Sequence, residues 1–145
     1  MQITVLRVKP VTPRDALNEL VAAGFKVGSI DEEVLASAPL FKTTEVDYVF
    51  DQLREPEKLI LSGEVDNIFE EKYGCKHIPD FVGVCATLVV YPTLVDARPI
   101  AIQWLDGNGH FCCTIWFFWS GERFLNVYRF VLDWFGNVRF PRARK

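Results

Sequence analysis

Residues 98–119 constrain the fold more than any other part of the sequence. Two runs rich in β-branched and aromatic residues, 98–105 and 111–119, flank the tetrapeptide Asp-Gly-Asn-Gly at 106–109. Asp-Gly and Asn-Gly are the dipeptides that most readily adopt the positive φ angles of tight hairpin turns, and the flanking residue types favour strands. The sequence therefore predicts an antiparallel hairpin here, and with it a sheet in the second half of the chain.

Helix signals dominate the first half of the chain, after a short strand predicted at residues 3–8. Thr12 followed by Pro13 marks the start of a first helix, because a hydroxyl caps the free N–H groups and proline fits the first helical position. A single helical turn is predicted at 31–36. One or two further helices are predicted at 59–73, where apolar residues recur at helical spacing.

Three segments are harder to interpret. Thr43 or Thr44 opens another predicted helix, which Pro56 ends, because the apolar residues between them recur at helical spacing. Residues 81–91 are dense in valine and predict a strand. Residues 124–135 fit both a strand and an amphipathic helix, and their aromatic and β-branched content favours the strand.

A last strand at 138–140 completes the predicted organisation, an α+β fold in a single domain, 1–145. Its helical N-terminal half packs on a mainly antiparallel, aromatic-rich sheet in the C-terminal half. The chain has 145 residues, of which 50% are apolar, enough for one core without disulfides. It has no apolar run of the roughly 20 residues that span a membrane and no secretory signal, so a cytoplasmic location is expected.

Charge is unevenly distributed along the chain. Residues 1–80 carry nine Lys or Arg against fifteen Asp or Glu, a net −6, whereas residues 81–145 carry seven against four, a net +3. Four of those seven basic residues crowd the last seven positions. Nucleic acids are bound by basic residues gathered on one folded surface, which this pattern lacks. Neither a nucleic acid nor a membrane is predicted as a partner.

The hairpin also predicts two sheet faces of different chemistry, on the assumption that an even number of residues connects its strands. One face is wholly apolar and carries Ile102 and Ile115, and it is expected to pack on the helices. The other mixes aromatic rings with polar groups and continues into the strand predicted at 81–91. Six residues of this mixed face are the predicted ligand-binding residues: Tyr91, Gln103, His110, Cys112, Thr114 and Trp116. Such a face is typical of a small-molecule pocket or a subunit interface, and the remaining alternative is burial under another part of the same chain.

Metal binding and catalysis receive little support from the sequence. His77 lies two residues after Cys75, and His110 two residues before Cys112, but this spacing does not match structural zinc sites. Side chains two residues apart on one strand lie about 7 Å from each other, too far for a His110–Cys112 hydrogen bond. The sequence also lacks a phosphate-binding glycine loop and a nucleophile elbow. No catalytic residue, metal or cofactor is predicted.

The leading hypothesis is therefore a non-enzymatic binding or interaction module that forms a homodimer through its sheet. A small hydrophobic ligand is expected on the mixed face. One alternative is a small enzyme that uses the same pocket with His110 as acid or base. Another is an acidic partner-binding protein of the inhibitor or immunity type, whose helical half docks on a basic surface.

Overall fold

A seven-stranded sheet forms the centre of the fold in the computed structural model of the chain. The structure describes residues 2–6, 11–41, 45–52, 54–55, 58–129 and 133–143, and at 2–6, 45–47 and 143 it describes the backbone alone. The strands are β1 (Gln2–Leu6), β2 (Lys26–Ile30), β3 (Glu45–Gln52), β4 (Leu59–Ile60), β5 (Ile100–Leu105), β6 (Phe111–Trp119), β7 (Glu122–Arg129), β8 (Trp134–Phe135) and β9 (Arg139–Ala143).

The strands of the large sheet lie in the order β1-β3-β9-β5-β6-β7-β2, while β4 and β8 form a separate two-stranded sheet. Neighbours are antiparallel except at two places, where β5 pairs with β9 and β2 with β7 in parallel. The predicted α+β class with a mainly antiparallel sheet is confirmed. The first half of the chain is less purely helical than predicted, since it also contributes β1, β2 and β3 to the sheet.

Five helices accompany the sheet in the described residues: α1 (Pro13–Ala22), α2 (Glu32–Ala36), α3 (Val65–Tyr73), α4 (Phe81–Val90) and α5 (Leu94–Ala97). The predicted signals act as expected in α1, where the Thr12 hydroxyl accepts the N–H of Asp15 at 3.1 Å. Gly74, with φ of 73°, ends α3 in the left-handed conformation that glycine adopts at little cost. None of these helices is long and apolar enough to cross a membrane.

The strand predicted at 81–91 is wrong, because this segment is helix α4. The carboxylate of Asp80 caps the helix by accepting the N–H of Gly83 at 3.0 Å. Residues 81–85 are all buried, so α4 is apolar on nearly every side. A helix enclosed in this way shows no amphipathic stripe, and its valine content then resembles that of a buried strand.

The helix predicted from Thr43 or Thr44 to Pro56 is also wrong, because residues 45–52 form β3, which pairs with β1 and β9. Tyr48 and Phe50 are buried while the residues between and after them are partly exposed, which is the alternation of a strand. The residues that were expected to begin and end the helix lie outside the described part of the chain.

The strand alternative for 124–135 is confirmed by β7 and β8, although residues 130–132 lie outside the described part, and the predicted last strand is confirmed by β9. The hairpin of β5 and β6 is confirmed as well. Its connection, residues 106–110, has five residues, so the assumption of an even number fails. The register pairs Ile102 with Thr114 and Gln103 with Cys113, and residues paired across antiparallel strands share a face.

The predicted composition of the two faces is therefore wrong. One face, here called the helix-covered face, carries Ile102 and Trp104 from β5 with Thr114 and Trp116 from β6, and it packs on α1, α2, α4 and α5. The opposite face, here called the open face, carries Gln103 with Cys113 and packs on α3, β4 and β8. Two hydrophobic cores thus lie on opposite sides of one sheet.

Candidate functional site

The six predicted ligand-binding residues do not form one site. Cys112, Thr114 and Trp116 are fully buried under the helices. Tyr91 follows the last residue of α4 and is half exposed. Gln103 is buried on the open face, and only His110 lies exposed at a surface cleft.

This cleft, of about 570 Å³, lies at the hairpin end of the sheet and has a size that fits small ligands. Its lining comes from the 3₁₀ turn at Ser62–Glu64 and the residue before it, from the end of the hairpin connection, and from the region around the end of β7. The lining residues are Leu61, Ser62, Gly63, Gly109, His110, Phe111, Arg129 and Asp133. The cleft combines apolar surface from Leu61 and Phe111 with charged groups at Arg129 and Asp133.

Asp106 organises the wall that the hairpin connection provides. Its Oδ1 accepts the backbone N–H groups of Asn108 at 2.8 Å and His110 at 3.0 Å. These bonds stabilise the carboxylate and lower its pKa, the His110 N–H most of all. Its Oδ2 lies 3.8 Å from the His110 ring and 3.6 Å from Nε of Arg129. One carboxylate therefore fixes the turn and lies within ion-pair distance of both basic side chains.

Gln103 fixes the opposite side of the cleft. Its side-chain Nε2 donates to the carbonyl of Ser62 at 2.7 Å, and its Oε1 accepts the indole N–H of Trp134 at 2.8 Å. Ser62 lines the cleft, and Trp134 follows the lining residue Asp133. A single buried amide thus ties two parts of the cleft wall to strand β5, although its side chain does not line the cleft.

His77 extends this network into the core beneath the open face. Its ring Nδ1 and its backbone N–H both contact Oδ1 of Asp66, at 2.7 and 3.0 Å. Its Nε2 lies 3.1 Å from the carbonyl oxygen and 3.2 Å from the backbone nitrogen of Gln103. Burial opposes ionisation of Asp66, but the bonds and charge of His77 outweigh it and lower the pKa of Asp66. His77 thus anchors α3 to β5.

No local sequence signal marks this network, because its members lie far apart in the chain. Asp66 and His77 are separated by 11 positions, and Gln103 and Ser62 by 41. A buried glutamine inside an apolar strand was the one available sign. The sequence predicts that Gln103 contacts a ligand. In the structure, Gln103 is instead buried behind the cleft wall and forms hydrogen bonds to it.

Cys112 has no features of an activated nucleophile. Burial, together with the negative charge of Asp106, raises the pKa of its thiol, which disfavours the thiolate. The histidines sit in different surroundings, His77 inside the core and His110 at the surface. Across the part of the chain that the structure describes, no three His, Cys, Asp or Glu residues are grouped so as to hold a metal ion.

A second exposed feature lies elsewhere on the open face, away from the part that α3, β4 and β8 cover. Phe117 of β6 and Phe124 of β7 stack with ring centroids 5.6 Å apart. Trp119, two residues further along β6 and so on the same face, is 69% exposed. Lys26 and Glu122 form an ion pair at 2.5 Å, with Glu122 opposite Trp119 across the strands. Phe117, Trp119 and Phe124 are called the aromatic surface below.

Comparisons of the chain with protein-family models, with curated proteins and with solved structures find no match. Its function therefore has to be inferred from the cleft and the aromatic surface themselves.

Proposed function

We propose that the protein is a non-enzymatic binding module and that the cleft at the hairpin end is its ligand site. The observation that carries this proposal is that two polar anchors hold the walls of the cleft. Asp106 fixes the hairpin wall, and Gln103 fixes the facing wall. A site held in shape in advance loses little conformational entropy when a ligand binds.

Binding is favoured over catalysis by the chemistry beside the cleft. A nucleophile or general acid-base pair needs groups within about 3.2 Å of each other. The ring of His110 lies 3.8 Å from Asp106, and the raised pKa of Cys112 keeps that sulfur protonated. The four cysteines are all free thiols, which supports a place in the reducing cytoplasm.

Blocking the cleft with a side chain tests this function. A Cβ added at Gly63, in the cleft wall, meets no atom within 4 Å, so Gly63→Phe should fold and fill the cleft. Gly107 has the same open surroundings but does not line the cleft, which makes Gly107→Phe a matched control. A library of small aromatic and aliphatic compounds is screened by ligand-observed NMR. We expect hits that bind the parent chain and the Gly107 variant but not the Gly63 variant. Hits that bind all three proteins equally, or no hits, would contradict the proposal.

Self-association is a second proposed function, and the aromatic surface supports it. Aromatic side chains that remain exposed on a sheet are enriched at protein interfaces, and burying them favours association. The β2 edge of the sheet is a less suitable contact. A bulge interrupts it at Gly28, where Asn126 accepts the N–H of Ser29 at 2.8 Å, and bulges disfavour edge-to-edge pairing. We therefore propose a homodimer that forms face to face.

Sedimentation and light scattering over a wide concentration range test the homodimer. We expect a concentration-dependent dimer that Trp119→Lys weakens at least tenfold. Val90→Lys is the control, because Val90 is 66% exposed, close to the 69% of Trp119, but lies at the end of α4. A parent chain that stays monomeric at every concentration, or equal weakening by both substitutions, would remove this proposal.

A further inference from the structure

Three large apolar side chains form a continuous exposed strip beside the cleft. Leu59 of β4 and Phe135 of β8 are paired directly across the two-stranded sheet, and they are 54% and 64% exposed. Leu61 is 53% exposed and lines the cleft. Its φ of −70° and ψ of 146° keep the segment extended, so the side chains of Leu59 and Leu61 lie on one side. Leu59, Leu61 and Phe135 are called the apolar ridge below.

The opposite side of the two-stranded sheet fixes the apolar ridge to the core. Ile60 and Trp134, which are paired with each other, are buried in the core of the open face. Gly136 packs against the backbone of Glu55, and a Cβ added there would collide with the carbonyl oxygen of Glu55. The N–H of Gly136 also donates to the carbonyl of Lys58 at 2.8 Å. The apolar ridge therefore faces outward from a well-anchored pair of strands.

The size of the apolar ridge indicates what can cover it. Antiparallel strands with one solvated side normally carry polar residues on that side. Single exposed apolar residues are common on protein surfaces, but several adjacent ones mark a binding surface. Three partly exposed side chains fall well short of the surface of about 800 Å² that each partner buries in a stable protein interface. The ridge therefore fits a narrow small molecule better than a protein.

The apolar ridge continues directly from the cleft, because Leu61 belongs to both. Residues two apart in an extended segment are separated by about 7 Å, and residues paired across antiparallel strands by about 5 Å. Beyond Leu61, the ridge therefore adds about 12 Å of apolar surface, past Leu59 to Phe135. A linear alkyl chain can cover the cleft wall and the ridge at once, whereas a compact ligand reaches only one of them.

We propose that the cleft and the apolar ridge together bind a linear aliphatic molecule, with one end in the cleft and the chain over Leu61 and Leu59 to Phe135. This assignment rests on the proposed function of the cleft as a ligand site. It adds the chemical class of the ligand and a second surface that the ligand covers.

A series of 1-alkanols tests the assignment: 1-butanol, 1-heptanol and 1-decanol. Each is titrated into the ¹⁵N-labelled protein, and the dissociation constant is read from the amide signals of Gly63 in the cleft and of Leu59 and Phe135 in the ridge. We expect 1-decanol to bind at least tenfold more tightly than 1-butanol, because each methylene group that the ridge covers strengthens binding. The ridge signals should shift with 1-decanol and much less with 1-butanol.

A substitution in the middle of the apolar ridge separates specific binding from the general hydrophobicity of long alkanols. Leu59→Ser should weaken binding of 1-decanol at least fivefold and leave binding of 1-butanol unchanged. Leu40→Ser is the matched control, because Leu40 is 66% exposed but lies after α2, outside the cleft and the ridge. It should leave both affinities unchanged, and the amide spectrum of each variant reports whether it folds.

An affinity that does not rise with chain length, or equal effects of Leu59→Ser and Leu40→Ser on 1-decanol, would overturn the assignment. It would also be wrong if Leu59→Ser weakened self-association and left 1-decanol binding unchanged, because the ridge would then contact a second copy of the chain. Those results would leave the cleft itself as a binding site, which the screen with Gly63→Phe decides separately.

Discussion

The two faces of the central sheet differ in what covers them. Four helices pack on the helix-covered face, and most of the largest fully buried side chains among the described residues, including Trp116, Tyr48 and Phe25, lie in that core. On the open face, α3 with β4 and β8 covers only part of the sheet. The uncovered part carries the aromatic surface, and the cleft lies at the hairpin end. The comparison indicates that one face provides most of the buried core, and we propose that the other provides the surfaces for binding.

The buried polar groups of the two faces also differ in what they contact. Under the helices, the phenol of Tyr48 donates to the Asp80 carboxylate that caps α4, a contact that serves the fold alone. On the open side, His77, Gln103 and Trp134 form a connected network that ends at the cleft wall. Buried polar networks rigidify their surroundings when their members are paired. This network therefore holds one wall of the cleft in a fixed position.

A pair of tryptophans on opposite faces of β6, Trp116 and Trp119, gives the largest expected difference in stability. Trp116 is fully buried and packs against Phe81, with ring centroids 5.7 Å apart. Trp116→Ala should lower the free energy of unfolding by about 3–5 kcal/mol, since it leaves a large cavity. Trp119→Ala should change it by no more than about 0.5 kcal/mol, because that ring is exposed. Urea unfolding measures both, and similar losses for the two variants would contradict the assignment of the faces.

The substitution Gln103→Met is expected to cause the next largest loss in the free energy of unfolding. Gln103→Met keeps the volume of the side chain but removes its hydrogen bonds to the Ser62 carbonyl and the Trp134 indole N–H. A buried hydrogen bond contributes about 0.5–1.5 kcal/mol, so a total loss of about 1–3 kcal/mol is expected in urea unfolding. Binding of the cleft ligands found in the Gly63→Phe screen should weaken as well, because two parts of the cleft wall lose their anchor. A variant that loses no stability would show that the network is not formed.

A substitution at Thr114 should make the protein more stable instead of less stable. It is fully buried on the helix-covered face, and its hydroxyl has no hydrogen-bond partner within the described part of the chain. Thr114→Val removes that unpaired group at nearly constant volume and should raise the free energy of unfolding by about 1 kcal/mol. Binding in the cleft should not change. Lost binding without a change in stability would instead support the sequence-based assignment of Thr114 to a ligand site.

The pH dependence of Asp66 is the smallest effect expected, because its side chain is 38% exposed. Its pKa is lower in the folded chain than the ordinary 3.8, so its stabilising contribution is present above that value. The contribution is lost as the pH falls from about 3.8 through the folded-state pKa. Asp66→Asn should therefore unfold with a shallower dependence on pH in this acidic range, measured by urea midpoints. An unchanged slope would show that His77 does not stabilise the carboxylate.

Local signals explain which parts of the fold could be predicted. The caps of α1, the glycine after α3 and the Asp-Gly-Asn-Gly turn each act within a few residues, and the structure confirms them. Strand β3 and helix α4 depend on distant partners. β3 is fixed by β1 and β9, and α4 is enclosed by α1 and the sheet. Periodicity within a segment does not report such partners, so both segments were assigned the wrong type.

The candidate site was only partly predictable for a related reason. The face of each residue in β6 depends on the number of residues in the connection, and a change of one residue moves every side chain to the other side. The five-residue connection therefore placed Thr114 and Trp116 in the core. His110 was found because it lies beside the turn itself. The other lining residues of the cleft are distant in the sequence. Strand pairing and the hydrogen bonds of Gln103 bring them close to the hairpin turn.

The indole N–H signals test the central claim, that the two faces separate stability from binding, most directly. The chain has four tryptophans, so a ¹⁵N-labelled sample gives four such signals. Titration with a compound that the Gly63→Phe screen identifies as a cleft ligand should shift the signal of Trp134, whose N–H donates to Gln103, and leave Trp104 and Trp116 under the helices unchanged. Dilution without ligand should shift the signal of Trp119 alone. Shifts at Trp104 or Trp116 on titration, with Trp134 unmoved, would place the ligand on the helix-covered face and contradict the account.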